Sequence, residues 1–201
     1  IGRTFKESFM KALASLERGS GGFDEVNLDE QKLRVPNSQR ILHIAQAFRQ
    51  GYSLEKVHEL TKIDLWFLDQ IQNIIKTESE VNTESVHDAK KLLKFKKLGF
   101  TDNRLSKLSS LSAKEIRRLR VQNGIRPGFW VVDTCSGEFA SSTPYYYSSY
   151  HRKPQAPLNL KNSAVVFGSG PNRIGQAIEF DYGCVQGIKA IKENGMKAVM
   201  I

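Results

Sequence analysis

Gly51-Tyr52-Ser53-Leu54-Glu55-Lys56-Val57-His58-Glu59-Leu60-Thr61-Lys62-Ile63-Asp64 decides how this chain is read, because its pattern returns forty-eight residues on as Gly99-Phe100-Thr101 through Leu111-Ser112. At that offset Val57 matches Leu105, Leu60 matches Leu108, Thr61 matches Ser109, Ile63 matches Leu111 and Asp64 matches Ser112. A glycine suits the left-handed residue that ends a helix, and a hydroxyl two positions later suits the cap of the next. The pattern therefore predicts helix, Gly–aromatic–hydroxyl turn, short helix, cap and longer helix, twice over.

Working outward, Ile41, Leu42, Ile44, Ala45 and Phe48 recur at helical period before the first glycine, and Leu92, Leu93 and Phe95 before the second. Asp64 is placed to cap a helix with Phe67, Leu68, Ile71 and Ile75 on its inner face. Ser112 and Glu115 form a capping box, and Gly124 ends that helix. Each unit alone has too small a core, so the two are expected to pack on each other. The expected core sets Ile41, Ile44, Phe48, Val57, Leu60, Phe67 and Leu68 against Leu92, Leu93, Leu105, Leu108, Ile116 and Leu119.

Upstream, Thr4 and Glu7 make another capping box before a stripe of Phe9, Leu13 and Leu16, and Gly19 to Asn37 reads as a linker. Downstream of Gly124 the texture changes. Phe129-Trp130-Val131-Val132 reads as a strand, and Tyr145-Tyr146-Tyr147 as aromatic packing at a domain junction. Pro154 and Pro157 mark a linker. Ala164-Val165-Val166-Phe167 is then a buried strand, followed by a Gly turn, a helix from about Arg173 to Glu193, and a second strand from Lys197.

The turn Gly168-x-Gly170-Pro171-Asn172-Arg173-Ile174-Gly175 joins a strand to a helix N-terminus, a geometry that favours anions. Its last glycine falls five residues after the second, where a dinucleotide fingerprint needs three, and no Gly-Lys-Ser/Thr follows to make a P-loop.

The composition is that of an ordinary globular chain: 201 residues, 40% hydrophobic and 25% charged, with no apolar run near the ~20 residues that span a bilayer. Cys135 and Cys184 lie far apart, and His43, His58, His87 and His151 lack ligand-like spacing, so neither a disulfide framework nor a metal site is expected. Much of the net charge of +9 sits in Lys90 to Lys97 and Lys114 to Arg120, where the plain reading is a solvated helix face. Ile1-Gly2 without an initiator Met, and Ala198-Val199-Met200-Ile201 without a following turn, are read as interior positions of a longer polypeptide.

The string Pro171-Asn-Arg-Ile-Gly-Gln-Ala-Ile-Glu-Phe-Asp-Tyr182 resembles the start of the second synthetase half in the large subunits of the carbamoyl-phosphate synthetases. The resemblance extends through Val132-Asp133-Thr134-Cys135 with Glu138-Phe139 and Pro144 to Ser148, through Tyr52-Ser53 to Leu68, and through Ile1-Gly2-Arg3-Thr4-Phe5 with Lys11-Ala12-Leu13. It is closer to the bacterial separate-subunit form than to the animal multifunctional form.

The fold this implies is mainly α. A tail of the carboxyphosphate ATP-grasp half (1–16) leads into a helical oligomerisation domain with a two-fold internal repeat (17–157). The first βαβ of an α/β, Rossmann-like pre-ATP-grasp domain (158–201) follows. The family makes carbamoyl phosphate from bicarbonate, glutamine-derived ammonia and two ATP. ATP and Mg or Mn are its cofactors, and their ligands fall outside this stretch, which is expected to bind none itself. By position, Ala177 and Glu179 resemble residues that line the carbamate tunnel, and Gly168, Gly170, Asn172, Arg173 and Gly175 form the loop at the helix N-terminus. No catalytic residue is carried over. The implied partners are a glutaminase small subunit or fused glutaminase domain and other large subunits, in the cytoplasm, with no membrane and no nucleic acid.

The competing reading is a helix-turn-helix module in a basic chain. The first candidate recognition helix opens Asp64-Leu65-Trp66-Phe67-Leu68-Asp69, which suits a buried contact and repels phosphate. The second, with Lys114, Arg117, Arg118 and Arg120, is the better candidate, but half the pair is unsuitable.

Overall fold

A computed structural model of the chain describes residues 1–17, 19, 21–140, 143–151, 161–168 and 179–201, the side chains of 179–181 excepted. They fall into two compact units, Ile1–Gln155 and Ala156–Ile201.

The first unit is mainly helical. Helix α1 (Phe5–Ser15) starts at Thr4, whose hydroxyl accepts from Glu7 N at 3.2 Å. The short α2 (Glu30–Arg34) is capped by Asp29, and α3 (Arg40–Arg49) follows. Next come α4 (Leu54–Thr61), α5 (Leu65–Glu78), α6 (Thr83–His87), α7 (Ala89–Lys97), α8 (Asp102–Ser109) and α9 (Ala113–Gln122).

The two matched stretches make the same turns at matched positions. Gly51 and Gly99 have φ of +82° and +91°. Across them Tyr52 N donates to Ala47 O at 3.0 Å, and Phe100 N to Phe95 O at 3.2 Å, the six-to-one bond of a Schellman end. Ser53 then caps α4 and Thr101 caps α8. Lys62 and Ser110 end these helices in the left-handed region, with φ of 59° and 62°. Thr61 Oγ1 and Ser109 Oγ each return a hydrogen bond, both 2.7 Å, to the carbonyl four residues back. Asp64 caps α5, and Ser112 with Glu115 boxes the start of α9.

Ile44, Val57, Leu68, Ile71 and Ile74 from the first stretch share one buried cluster with Leu92, Phe95, Phe100, Leu105 and Ile116 from the second. Met10 of α1, Phe23 and Leu33 join it. Full burial of a Leu or Phe side chain is worth about 1.5–3 kcal/mol, so this cluster dominates the unit. Ile41, Leu93, Leu108 and Leu119 lie at its edge, half-buried.

Two expected core positions are corrected. Phe67 is 44% exposed and packs by its ring on Phe5, with centroids 5.5 Å apart. It lies one residue before the buried Leu68, and the α5 stripe runs through Leu68, Ile71 and Ile75, which leaves Phe67 beside it. Leu16, the C-cap of α1, is likewise exposed.

Strand β1 (Gly128–Val131) pairs antiparallel with β2 (Tyr146–Ser149), Gly128 opposite Ser149 and Val131 opposite Tyr146. The sequence reading had no strand at Tyr146–Ser149. A run of Tyr and Ser carries no strong period of its own, and its partner lies far away in sequence. In the second unit, β3 (Ser163–Val166) and β4 (Lys197–Met200) are parallel, joined through α10 (Glu179–Glu193). The buried strand expected at Ala164 to Phe167 is corrected: Val165 is 44% and Phe167 78% exposed, and the strand ends at Val166, because among the described residues this two-stranded parallel sheet has no second layer over this face.

Candidate functional site

The best-built polar assembly in the first unit is the seam where α3, α5 and α8 meet. Glu78 lies three residues past Ile75 on the buried stripe of α5, so its carboxylate points inward and requires a cation. Arg104, in the first turn of α8, supplies it with Nη2 and Nε at 2.7 and 2.9 Å from Glu78 Oε1. Arg49 at the end of α3 meets Glu78 Oε2 at 2.6 Å. Both arginines also donate to Phe23 O, at 2.5 and 2.6 Å, and Arg104 and Lys107 both reach Asp24 Oδ1. One carboxylate and one carbonyl thus fasten three helices to the stretch expected as a linker at Gly19 to Asn37, which is instead part of the core, carrying α2 and the buried Phe23 and Leu33. Phe48, Tyr52, Ile75 and Leu108 help line a groove of about 590 Å³ alongside.

A second assembly joins α7, α8 and α9. Asp102 accepts from Lys96 Nζ at 2.8 Å and from Arg120 Nη2 at 2.9 Å, and both cations lie over the Tyr150 ring. Burial pushes the Lys96 ammonium below its ordinary value, with Asp102 opposing. Burial alone would raise the Asp102 carboxyl, but Arg120 and Lys96 outweigh it and hold the group below the usual carboxylate range.

A third ties α1 to the ribbon. Glu7 is buried, pairs with Lys11 at 3.2 Å, and accepts from Ser149 Oγ at 3.2 Å and Arg3 N at 2.7 Å. Lys11 also donates to Ser148 O, and His151 Nε2 meets Lys97 O at 2.9 Å. None of these assemblies pairs a nucleophile with a free base. Their chemistry is fastening.

Among the residues singled out from sequence, Gly168 closes β3, its N–H donating to Ile201 O at 2.7 Å. A side chain there would meet Met200 Cε at 3.0 Å, so the loop leaves the sheet through a glycine lying close against β4. Gly170, Asn172, Arg173, Gly175 and Ala177 lie outside the described residues, and Glu179 begins α10 with its side chain outside them. The sequence reading missed Glu78, Arg49 and Arg104. The signal was present, since Glu78 continues the Leu68–Ile71–Ile75 spacing. Among the described residues no cluster of potential metal ligands occurs, and no helix is long and apolar enough to cross a membrane.

The helix-turn-helix reading fails at its first candidate helix, where Trp66 packs on Phe5 at 5.2 Å between ring centroids; in the second, Arg120 is committed to Asp102 while Lys114, Arg117 and Arg118 are exposed.

Among the described residues the helices are fastened to one another without a catalytic constellation, and the opening of a parallel sheet follows in the second unit. The chain belongs to the family of the carbamoyl-phosphate synthetase large chain, oligomerisation domain, whose model matches residues 1–124. The carbamoyl phosphate synthase preATP-grasp domain matches residues 160–201. Over its full length the chain is 43% identical to the carbamoyl phosphate synthase large chain of Methanothermobacter thermautotrophicus. It is 45% identical to that of Vibrio cholerae and 44% to that of Acidobacterium capsulatum. It spans about a fifth of the length of these relatives: 19% of the first, 20% of the second and 19% of the third.

Proposed function

We propose that the chain is the central part of the large subunit of a glutamine-dependent carbamoyl-phosphate synthetase. That enzyme is an ATP-grasp ligase that converts bicarbonate, glutamine-derived ammonia and two ATP to carbamoyl phosphate for pyrimidine and arginine synthesis in the cytoplasm. The carrying observation is identity of 43% along all 201 residues to one such large chain.

In this reading residues from about Glu17 to Pro157 are the mount. They connect the two synthetase halves and associate with other large subunits, while a glutaminase subunit or fused glutaminase domain supplies ammonia. The mount is a tandem of two homologous helical units, a reading supported by the matched caps, turns and hydroxyl bonds at an offset of forty-eight residues. From about Leu158 the chain opens a Rossmann-like pre-ATP-grasp domain. There Ala177 and Glu179 line a carbamate passage, the small side chain leaving it open and the carboxylate holding or exchanging a proton. ATP and its Mg or Mn are bound by residues elsewhere in the parent.

The test is carbamoyl phosphate synthesis by the full-length protein from bicarbonate, glutamine and ATP, with the 201-residue chain as control. Synthesis by the former and none by the latter is expected. No synthesis by the full-length protein, or turnover by the chain alone, overturns the reading.

A further inference from the structure

The charge of the first unit is sharply localised. Residues 89–126 hold twelve Lys and Arg against two Asp and Glu, more positive charge than the +9 of the entire chain, so the remainder is close to neutral. Both acids are engaged, Asp102 by Lys96 and Arg120, and Glu115 by the Ser112 box. On α7, five of nine residues are Lys and none is acidic, while its cap Asp88 is held by the N–H groups of Lys90 and Lys91. Lys94 reaches Glu80, but Lys90 and Lys97 make no ion pair at 4.0 Å or closer among the described residues.

The lysines are not merely spread over a wet surface. Lys90, Lys94 and Lys97 surround Leu93 and Leu98 in one open groove of about 390 Å³. A charged rim around an apolar centre is the anatomy of a protein interface. Phosphates would engage the lysines and leave the leucines idle, and the groove has no aromatic side chain on which a base could stack. We infer that this groove on α7 docks an acidic, leucine-bearing segment of another polypeptide, which seats an apolar side chain between Leu93 and Leu98 and sets carboxylates on Lys90 and Lys97.

The test uses the whole 201-residue chain and fluorescence anisotropy in roughly 0.1 M salt, where contacts over more than about 10 Å are screened. The probes are a labelled peptide of glutamates interrupted by leucines, the same peptide with serine for leucine, and a short DNA duplex. The leucine–glutamate peptide should bind about tenfold more tightly than the serine version, and more tightly than the duplex. Lys90→Glu/Lys97→Glu should weaken it about tenfold and Leu93→Ser severalfold, with Lys91→Glu, outside the groove, as the control on the same exposed helix. Equal binding of the two peptides, tighter binding of the duplex, no binding of any probe, or indifference to the double reversal would overturn the inference. Far-UV circular dichroism confirms that each variant folds.

Discussion

Glu78 and Arg104, twenty-six residues apart and both buried, meet through two contacts of 2.7 and 2.9 Å and hold α5 to α8. A carboxylate removed from water costs several kcal/mol unless its partners are well placed. Here two arginines surround it.

Glu78→Ala leaves two guanidinium groups without their central anion and should cost about 3–5 kcal/mol, whereas Glu78→Leu/Arg49→Met/Arg104→Met, which removes the anion together with both cations, should cost less. Urea unfolding of both variants checks this. Equal losses would mean that the assembly's value lies in its packing.

Gly51 and Gly99 occupy matched turns with φ of +82° and +91°, yet their surroundings differ. A Cβ on Gly51 meets nothing within 4 Å, whereas one on Gly99 would lie 2.8 Å from Met10 Cβ and 3.0 Å from Glu7 O. Gly51→Ala should cost about 1–2 kcal/mol from backbone strain alone, and Gly99→Ala about 1–3 kcal/mol more from overpacking. Thermal midpoints that fall equally would refute the difference.

His43 is buried, its Nδ1 accepts from Asp29 N at 3.3 Å, and its Nε2 has no partner among the described residues. Burial depresses its pKa below 6.5, with Lys32 adding to the effect. A depressed folded value means that the unfolded chain takes the proton first. The stabilisation is therefore complete above pH 6.5 and drains away as pH falls through the folded value. Melting temperature should drop more steeply between neutral and mildly acid pH in the parent chain than in His43→Gln.

Asp102 titrates below 3.8 when folded, so its contribution is present above that pH and is lost as acid reaches the depressed value. Asp102→Asn should remove the contribution at every pH. It strands Lys96 and Arg120 together over Tyr150, at a cost of about 3 kcal/mol by the usual penalty for breaking a buried pair. Denaturant midpoints followed from neutral pH into acid test both statements: the two proteins should differ above pH 3.8 and converge only once the pH has passed the depressed value.

In the full-length parent, Ala177→Phe should block the proposed passage. Partial ATP hydrolysis should survive while carbamoyl phosphate output falls by at least about tenfold. Equal loss of both, or of neither, counts against the passage.

The sequence announced the local structure and concealed the long-range joints. Ser53, Thr101, Asp64 and Ser112 were identifiable as caps because a cap is decided within four residues. Strand β2 was not, because Tyr146 to Ser149 becomes a strand only by pairing with Gly128 to Val131. Phe67 was misplaced because both it and Leu68 fit an apolar stripe, and only packing against Phe5 separates them. Arg104 carries no local signal of its task. Its role depends on Glu78 and on Phe23 O, and no periodicity links those three.

In the proposed tandem, the residue forty-eight positions after Glu78 is Arg126, an exposed cation, and the residue forty-eight before Arg104 is Lys56, which lies 3.5 Å from the Tyr52 ring centre and near Glu30. The lock between Glu78 and Arg104 is therefore made once and has no counterpart at the matched positions, so the likeness of the two stretches ends at their caps and turns while their charges make them unequal partners.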